Sequence, residues 1–249
     1  MAYEDFKNRC GNNIPSTDYY KQTLQAKLNQ DFELASDVYT IKRLNRITNI
    51  YEDINIRITP WFGEIHDEDI KDDYKRLYFQ NLNQPIDIGD LYEFENYRWL
   101  LINGESIETI SRDCVVRRCN VQLKFRPDSS TGDLFVLDGI STRKMQFTEK
   151  GDYSELPRGQ VNIFIQNSDV VKKIRYSPKP TRFLFSNKDS KGAMQAWQVE
   201  SIDTMSFVRR KLIQSIEDNT TGYVALRLSL YQQSPKDDLV NGIAWQDYY

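Results

Sequence analysis

From Cys119 the chain alternates without a break: Cys119, Val121, Leu123 and Phe125 fall on one side, Asn120, Gln122 and Lys124 on the other. Period-two alternation describes a strand with one buried and one wet face. Together with residues 90–118 before it, this stretch commits the chain to β-sheet. Tyr97 and Trp99 share a face in the preceding strand, and Asn103-Gly104-Glu105 supplies a turn, because an Asn-Gly pair tolerates positive φ. The same alternation recurs at Ile54, Ile56 and Ile58, where Pro60 ends the strand for want of an N–H, at Val161, Ile163 and Ile165, and at Val224, Leu226, Leu228 and Leu230. Leu134-Phe-Val-Leu reads as a short buried strand, Thr181-Arg-Phe-Leu-Phe-Ser as another after Pro178 and Pro180, and Trp197 with Val199 marks a further one.

A chain of 249 residues is long enough for two such β units. The clearest linker is 127–133, a run of turn formers with no apolar residue, and the boundary is placed there. The expected organisation is an arm and helix over 1–37, a small β-barrel or sandwich over 38–126, and an immunoglobulin-like β-sandwich over 127–249. Short strands separated by turn clusters favour a mainly β fold.

Three segments carry helical patterns. Ser16 or Thr17 can cap a helix running from Asp18 to about Asn29, with Tyr20, Leu24 and Leu28 as one narrow apolar stripe. So narrow a stripe needs a partner surface, in its own domain or on a neighbouring subunit. An acidic insertion over 64–82 holds Glu64, Asp67, Glu68, Asp69, Lys71, Asp72 and Asp73. Asp67 suits an N-cap, and Ile70, Tyr74, Leu77 and Tyr78 keep helical spacing, so an inserted amphipathic helix is expected; a long loop is the alternative. Met205, Val208, Leu212 and Ile216 could form a third stripe, with Arg209-Arg210-Lys211 as its wet face.

Charge and cysteine content narrow the function classes. A net charge of −3 gives no basic footprint for sequence-independent nucleic-acid binding by the whole chain. Cys10, Cys114 and Cys119 do not make a disulfide framework; on one strand Cys114 and Cys119 would stand roughly 16 Å apart. No stretch resembles a membrane span or a signal peptide, so synthesis in a reducing cytoplasm is expected.

The search for catalytic chemistry yields little. The one histidine, His66, lies beside Asp67, Glu68 and Asp69, a pattern that a metal site or a His-carboxylate base could use. The cysteines offer no ligand spacing to join it, which favours an exposed loop histidine and no metal. Neither a nucleophile elbow nor a phosphate-binding glycine motif occurs, so no cofactor is expected. Asp72-Asp73 and Asp237-Asp238 are adjacent carboxylates of the kind that ordinarily stay solvated, and nothing sets them in opposition across a substrate. A noncatalytic protein is the expectation. Arg117, Arg118, Arg209 and Arg210 are candidate contacts to DNA in a channel or members of salt bridges, the latter favoured. The aromatic end, with Trp245, Tyr248 and Tyr249, reads as a segment docked on another subunit or on the chain's own core.

Three stretches then carry a resemblance. Gly89-Asp-Leu-Tyr-Glu-Phe-Glu-Asn-Tyr-Arg-Trp-Leu-Leu-Ile with Val115-Val-Arg-Arg-Cys-Asn-Val-Gln-Leu-Lys-Phe resembles the β-rich body of neck proteins of tailed bacteriophages, particularly those of Gram-positive hosts. Thr181-Arg-Phe-Leu-Phe-Ser through Trp197-Gln-Val-Glu-Ser-Ile-Asp, and Gly222-Tyr-Val-Ala-Leu-Arg-Leu to Lys236-Asp-Asp-Leu-Val-Asn-Gly-Ile-Ala, resemble the immunoglobulin-like second half of the same proteins. The likeness covers about 38–249. It implies a head-to-tail connector, adaptor or head-closure protein in the virion, made in the host bacterial cytoplasm. The implied assembly is a homo-oligomeric ring of twelvefold or sixfold symmetry, with the portal and other neck or tail proteins as partners, transient contact with double-stranded DNA and no membrane. In that setting the acidic insertion would face the lumen or the next ring, and Tyr20, Leu24, Leu28, Trp245, Tyr248 and Tyr249 would meet neighbouring subunits. The alternatives are a tail or baseplate component, or a carbohydrate- or receptor-binding module using Trp61, Trp197 or Trp245.

Overall fold

The computed structural model describes residues 16–45, 50–61, 73–84, 86–103, 106–107, 111–127, 132–142, 144–146, 153–155, 159–186, 193–203 and 222–246. The fold is mainly β, with two barrel-like sheets and an N-terminal helix.

The first sheet comprises β1 (Val38–Leu44), β2 (Tyr51–Pro60), β3 (Tyr74–Phe79), β4 (Leu91–Phe94), β5 (Tyr97–Asn103), β6 (Ser106–Ile107) and β7 (Ser111–Arg118). Its order is β3-β2-β1-β4-β5-β7-β6, and β3 also pairs with β7, so six antiparallel strands close on themselves while β6 remains a short flap on β7. Closure removes the free edges that would otherwise invite pairing with other chains. Ile41, Ile56, Leu77, Phe79, Tyr92, Trp99, Leu101, Cys114 and Val116 fill the interior, each from an inward position of its strand. Trp99 stacks on Phe94 at 4.7 Å between ring centroids and donates its indole N–H to the Phe94 carbonyl.

β3 corrects the expected inserted helix for its described part. Tyr74, Leu77 and Tyr78 fit a helical spacing, yet Leu77 and Phe79 alternate with Tyr74, Arg76 and Tyr78 equally well. Cross-strand partners decide between the two: Leu77 lies opposite Ile58 on one side and Cys114 on the other, completing the barrel wall. The acidic segment is therefore shorter than 64–82, since its last described residue, Asp73, immediately precedes the strand.

The second sheet comprises β8 (Val121–Phe125), β9 (Phe135–Thr142), β12 (Gln160–Gln166), β13 (Arg182–Ser186), β14 (Met194–Asp203) and β15 (Tyr223–Tyr231), in the order β13-β14-β15-β12-β9-β8. A separate hairpin pairs β10 (Lys144–Gln146) with β11 (Tyr153–Glu155). All six strands share one hydrogen-bonded sheet, which curls until β8 packs against β13, with Phe125 edge-on to Phe183 at 5.6 Å. An immunoglobulin-like sandwich stacks two sheets; here one sheet rolls around one core. That core holds Leu123, Phe125, Val161, Ile163, Ile165, Phe183, Phe185, Trp197, Val224, Leu226 and Leu228, plugged by Val171 and Ile174 of the helix α2 (Asp169–Arg175).

Two sequence expectations change here. Because β8 pairs with β9 in full register, from Val121 opposite Gly139 to Phe125 opposite Phe135, the segment 127–133 joins two strands of one sheet. The chain crosses between sheets at Cys119 and Asn120, before β8. In β9, Leu134 and Val136 are exposed while Phe135 and Leu137 meet the core, so this strand is one-sided rather than buried throughout.

The N-terminal helix α1 (Ser16–Leu34) is 19 residues long, about two turns longer than the expected span of Asp18 to about Asn29. Phe32 is its buried anchor, one further i+4 step along the stripe of Tyr20, Leu24 and Leu28. Leu24 and Leu28 are half-buried. The Gln25 carboxamide donates to the Gln80 carbonyl and accepts from the Leu82 N–H, at 2.8 and 2.9 Å, fixing α1 to the connection after β3.

Candidate functional site

Both sheets contribute to a junction. Leu91 and Leu100 point out of the first barrel and Ile140 out of the second, and they meet with Leu44, Ile102, Cys119, Phe164 and Tyr223 around them. Gly89 is the point of closest approach: a Cβ added there would stand 2.0 Å from the Gly222 carbonyl oxygen. The Gln166 carboxamide crosses the junction to donate to the Gly89 carbonyl at 3.0 Å, and Arg98 of β5 pairs with Asp138 of β9. Apolar burial, a backbone contact and a cross-barrel ion pair together make a stiff joint.

Just inside that joint, Arg43 and Asp90 form a buried ion pair at 3.0 Å. Burial works against the Arg43 charge, but Asp90 and the pair's hydrogen bond outweigh it and hold the guanidinium pKa above its ordinary value. Burial also pushes the Cys114 and Cys119 thiols well up, which leaves both as inert, uncharged core groups. The two sulfurs are unbridged, as expected.

The acidic segment 62–72 lies outside the described residues, but both of its ends are described, and the returning one is held by β7. At the leaving end, Trp61 packs on Tyr74 with ring centroids 5.4 Å apart, and the Arg117 guanidinium lies 5.1 Å over the other ring of the pair, Tyr74. At the returning end, Asp73 pairs with Arg118 at 2.5 Å, and Arg118 lies 4.8 Å over the Tyr97 ring. Arg117 and Arg118 project to opposite sides of β7, as adjacent strand residues must, and both meet the returning end, Arg117 at Tyr74 and Arg118 at Asp73. Alongside, Arg76 pairs with Asp113 at 2.6 Å and covers Tyr78. Cation–ring contacts of this kind are worth roughly 0.5–1 kcal/mol each at exposed sites, and more where water is excluded. The arrangement ties the point where the chain rejoins the barrel wall to β7.

Several candidate residues fall outside the described set: Glu64, Asp67, Glu68, Asp69, Lys71 and Asp72, with His66 among them, and also Arg209, Arg210, Tyr248 and Tyr249. The third helical stripe, over 205–216, lies outside it too. Of Arg117 and Arg118, the structure assigns the second to a salt bridge and the first to an aromatic cap. Trp245 sits on its own domain, with the Lys236 ammonium 4.8 Å over its ring and its N–H donated to Asp237 at 2.8 Å. Trp197 is in the core, stacked on Phe185 at 5.2 Å. Among the described residues no group of three or more His, Cys, Asp or Glu is placed to hold a metal, and no helix is long and apolar enough to cross a membrane.

Sequence reasoning missed both buried ion pairs. Arg182 occupies an outward strand position that alternation reads as wet, Arg43 shares the inward side of β1 with Ile41, and their partners Asp237 and Asp90 lie 55 and 47 residues away. It also missed Gln25 and Gln166, whose carboxamides act as backbone partners. The adjacent carboxylates Asp237 and Asp238 part company: the Asp237 carboxylate is buried against Arg182, while the half-exposed Asp238 holds Asn241 in a turn. That hydrogen bond from Asn241 lowers the Asp238 pKa.

The chain matches no protein-family model, and no curated protein and no solved structure is significantly similar to it.

Proposed function

We propose that this chain is a noncatalytic structural protein of the phage neck, a subunit of the head-to-tail connector ring through which the genome is packaged and ejected. The strand motifs at 89–125, 181–203 and 222–244 carry the resemblance on which this reading rests. What supports it in the fold is one observation: in a two-barrel body, stiffened at Gly89 and Gly222, Arg117 and Arg118 fix Tyr74 and Asp73 where the acidic segment rejoins the first barrel, and Trp61 packs on Tyr74 where it leaves. A connector has to hold its shape while DNA slides past, and acidic projections from a rigid wall repel the phosphate backbone without binding it. On this reading the acidic residues from Glu64 to Asp72 would face the lumen or the next ring, and the half-buried Leu24 and Leu28 of α1 a neighbouring subunit. A carbohydrate-binding reading loses Trp197 to the core, and Trp61 and Trp245 each already carry a partner group.

The test is assembly. Mass photometry and native mass spectrometry of the full chain, alone and mixed with a portal protein of the same genome, should show closed sixfold or twelvefold rings. Immunogold labelling of virions should place the chain at the neck. A chain that stays monomeric with and without portal, or labels only the distal tail, overturns the connector assignment.

A further inference from the structure

Past β15 the chain doubles back in a tight loop. Asp238 and Ile243 pair across its neck, each donating its N–H to the other's carbonyl at 3.0 Å, and Leu239, Val240, Asn241 and Gly242 make the bend. The bend projects into water, with Val240 92% exposed and Asn241 exposed beside it. Its base is fastened, because the neighbouring Asp237 takes the Arg182 guanidinium at 3.1 Å and the N–H groups of Ser234 and Trp245. Gly242 has a φ of +68°, so the bend itself calls for glycine after Asn241.

Asparagine followed by glycine is chemically vulnerable, because no side chain hinders the next backbone nitrogen from reaching the carboxamide carbon. Three contacts govern that attack here. The Gly242 N–H, the attacking group, makes no hydrogen bond among the described residues. The Lys124 ammonium of β8 donates to the Asn241 carbonyl at 3.2 Å, and that oxygen belongs to the same peptide unit as the attacking nitrogen. A cation there stabilises the anion left when the nitrogen gives up its proton. Asp238 acts in the opposite sense: its carboxylate accepts from the Asn241 backbone N–H at 3.0 Å and from the Asn241 carboxamide at 2.7 Å. The second of these charge-assisted bonds must break before Cγ can swing onto the Gly242 nitrogen, and the carboxylate also opposes the oxyanion that the attack creates.

We propose that Asn241-Gly242 is a self-modifying site, in which Lys124 primes the Gly242 nitrogen, Asp238 restrains the Asn241 carboxamide, and Asn241 converts slowly to aspartate and isoaspartate. The Gly242 nitrogen passes its proton to water and bonds to the Asn241 Cγ; the Cγ–Nδ2 bond breaks and ammonia leaves, closing a succinimide ring. Water then adds to either ring carbonyl and opens the ring, with no oxidation or reduction at any step. The product sets a carboxylate where the carboxamide donated to Asp238, turning a hydrogen bond into a repulsion between like charges. Isoaspartate also lengthens the main chain between Asp238 and Ile243, so the bend opens while its base stays fastened by Arg182.

The experiment follows the full native chain and its Asp238→Ala and Lys124→Met variants in mildly alkaline buffer. Peptide mass spectrometry reads deamidation and isoaspartate at Asn241, and released ammonia is measured alongside. Asp238→Ala should react about tenfold faster than wild type, the effect of losing one charge-assisted hydrogen bond. Lys124→Met should react severalfold slower, a direction that loosening the loop could not produce. In guanidinium all three should run at one rate, because both effects belong to the folded loop. Absence of isoaspartate at Asn241, equal native rates in wild type and Asp238→Ala, or differences that persist in guanidinium overturn the proposal. If Asp238→Ala fails to fold, Lys124→Met carries the test alone, and an unchanged rate there overturns it.

Discussion

Replacing Gly89 by alanine tests the joint between the barrels most directly. Gly89 has a φ of +83°, and its missing Cβ is what lets the Gly222 backbone approach: the added carbon would lie 2.0 Å from the carbonyl oxygen, 2.4 Å from its carbon and 2.9 Å from the Tyr223 nitrogen. All three are backbone atoms, so no rotamer change relieves the clash. The barrels must move apart by about 1 Å, which disturbs the packing of Leu91 and Leu100 on Ile140 and stretches the bond from Gln166 to the Gly89 carbonyl. The left-handed backbone costs an alanine about 1 kcal/mol, overpacking a well-filled site typically about 1–3 kcal/mol, and a weakened buried hydrogen bond about 1 kcal/mol. The sum, roughly 3–5 kcal/mol, is a large part of an ordinary domain's stability of about 5–15 kcal/mol.

Gly159→Ala is the matched control, because Gly159 has the same φ of +83° but its added Cβ would touch only the Leu230 Cβ, at 3.6 Å. It should lose about 1 kcal/mol, the backbone contribution alone. Scanning calorimetry and guanidinium denaturation of both variants separate the two effects. For a chain of this size the Gly89 variant should melt roughly 10 °C below wild type and the Gly159 variant about 3 °C below it. Equal losses in the two would refute the close-approach argument, since they would show that only backbone conformation matters at Gly89.

Other outcomes follow from particular groups. The β4–β5 turn places Glu95 and Asn96 at φ of 52° and 62°, so replacing the pair with Asn-Gly should raise the urea midpoint by an amount worth about 1 kcal/mol. Burial pushes the Tyr223 hydroxyl pKa up to about 12 from an ordinary 10.0. A raised pKa favours the protonated form in the folded state, so its contribution is whole below pH 10 and drains away as pH rises toward 12. That loss, up to about 2–3 kcal/mol, should disappear in Tyr223→Phe when stability is followed by alkaline denaturation. Iodoacetamide at pH 8 should leave Cys114 and Cys119 unlabelled in the native chain and label both in guanidinium, as peptide mass spectrometry can show. The Asp238 carboxyl should titrate below 3.8 by carbon NMR and return toward that value in Asn241→Ala.

Alternation served well wherever a strand had one wet and one buried face. Ile54, Ile56 and Ile58, Val161, Ile163 and Ile165, and Val224, Leu226 and Leu228 all lie on the strands expected, with their inward sides facing the two cores. It failed where two periodicities coincide. Tyr74, Leu77 and Tyr78 satisfy a helix as well as β3 does, and only the partners Ile58 and Cys114, both distant in sequence, choose between them. The linker signal at 127–133 misled for a related reason: turn-forming composition marks a reversal of the chain, and a hairpin within one sheet reverses it just as a domain boundary does.

The outer faces of the barrels were the least legible part, and the candidate sites lie there. Period two assigns Arg98, Arg117 and Arg182 to the wet side of their strands, and Arg43 to the inward side beside Tyr92, without saying what else arrives there. Asp90 reaches Arg43 through the turn before β4, Asp138 reaches Arg98 from the other barrel, Tyr74 reaches Arg117 from β3, and Asp237 reaches Arg182 from the chain's last segment. Each arrival converts a solvated arginine into a fixture, and the penalty for a lone buried charge makes each partnership obligatory once the second segment lands. An outward arginine on a β-strand is therefore an open question in a sequence, one that only the topology of the whole chain answers. In this protein the answers are the joint between the barrels, the aromatic and ionic contacts where the acidic segment rejoins β3, and the last segment held on β13 by Arg182.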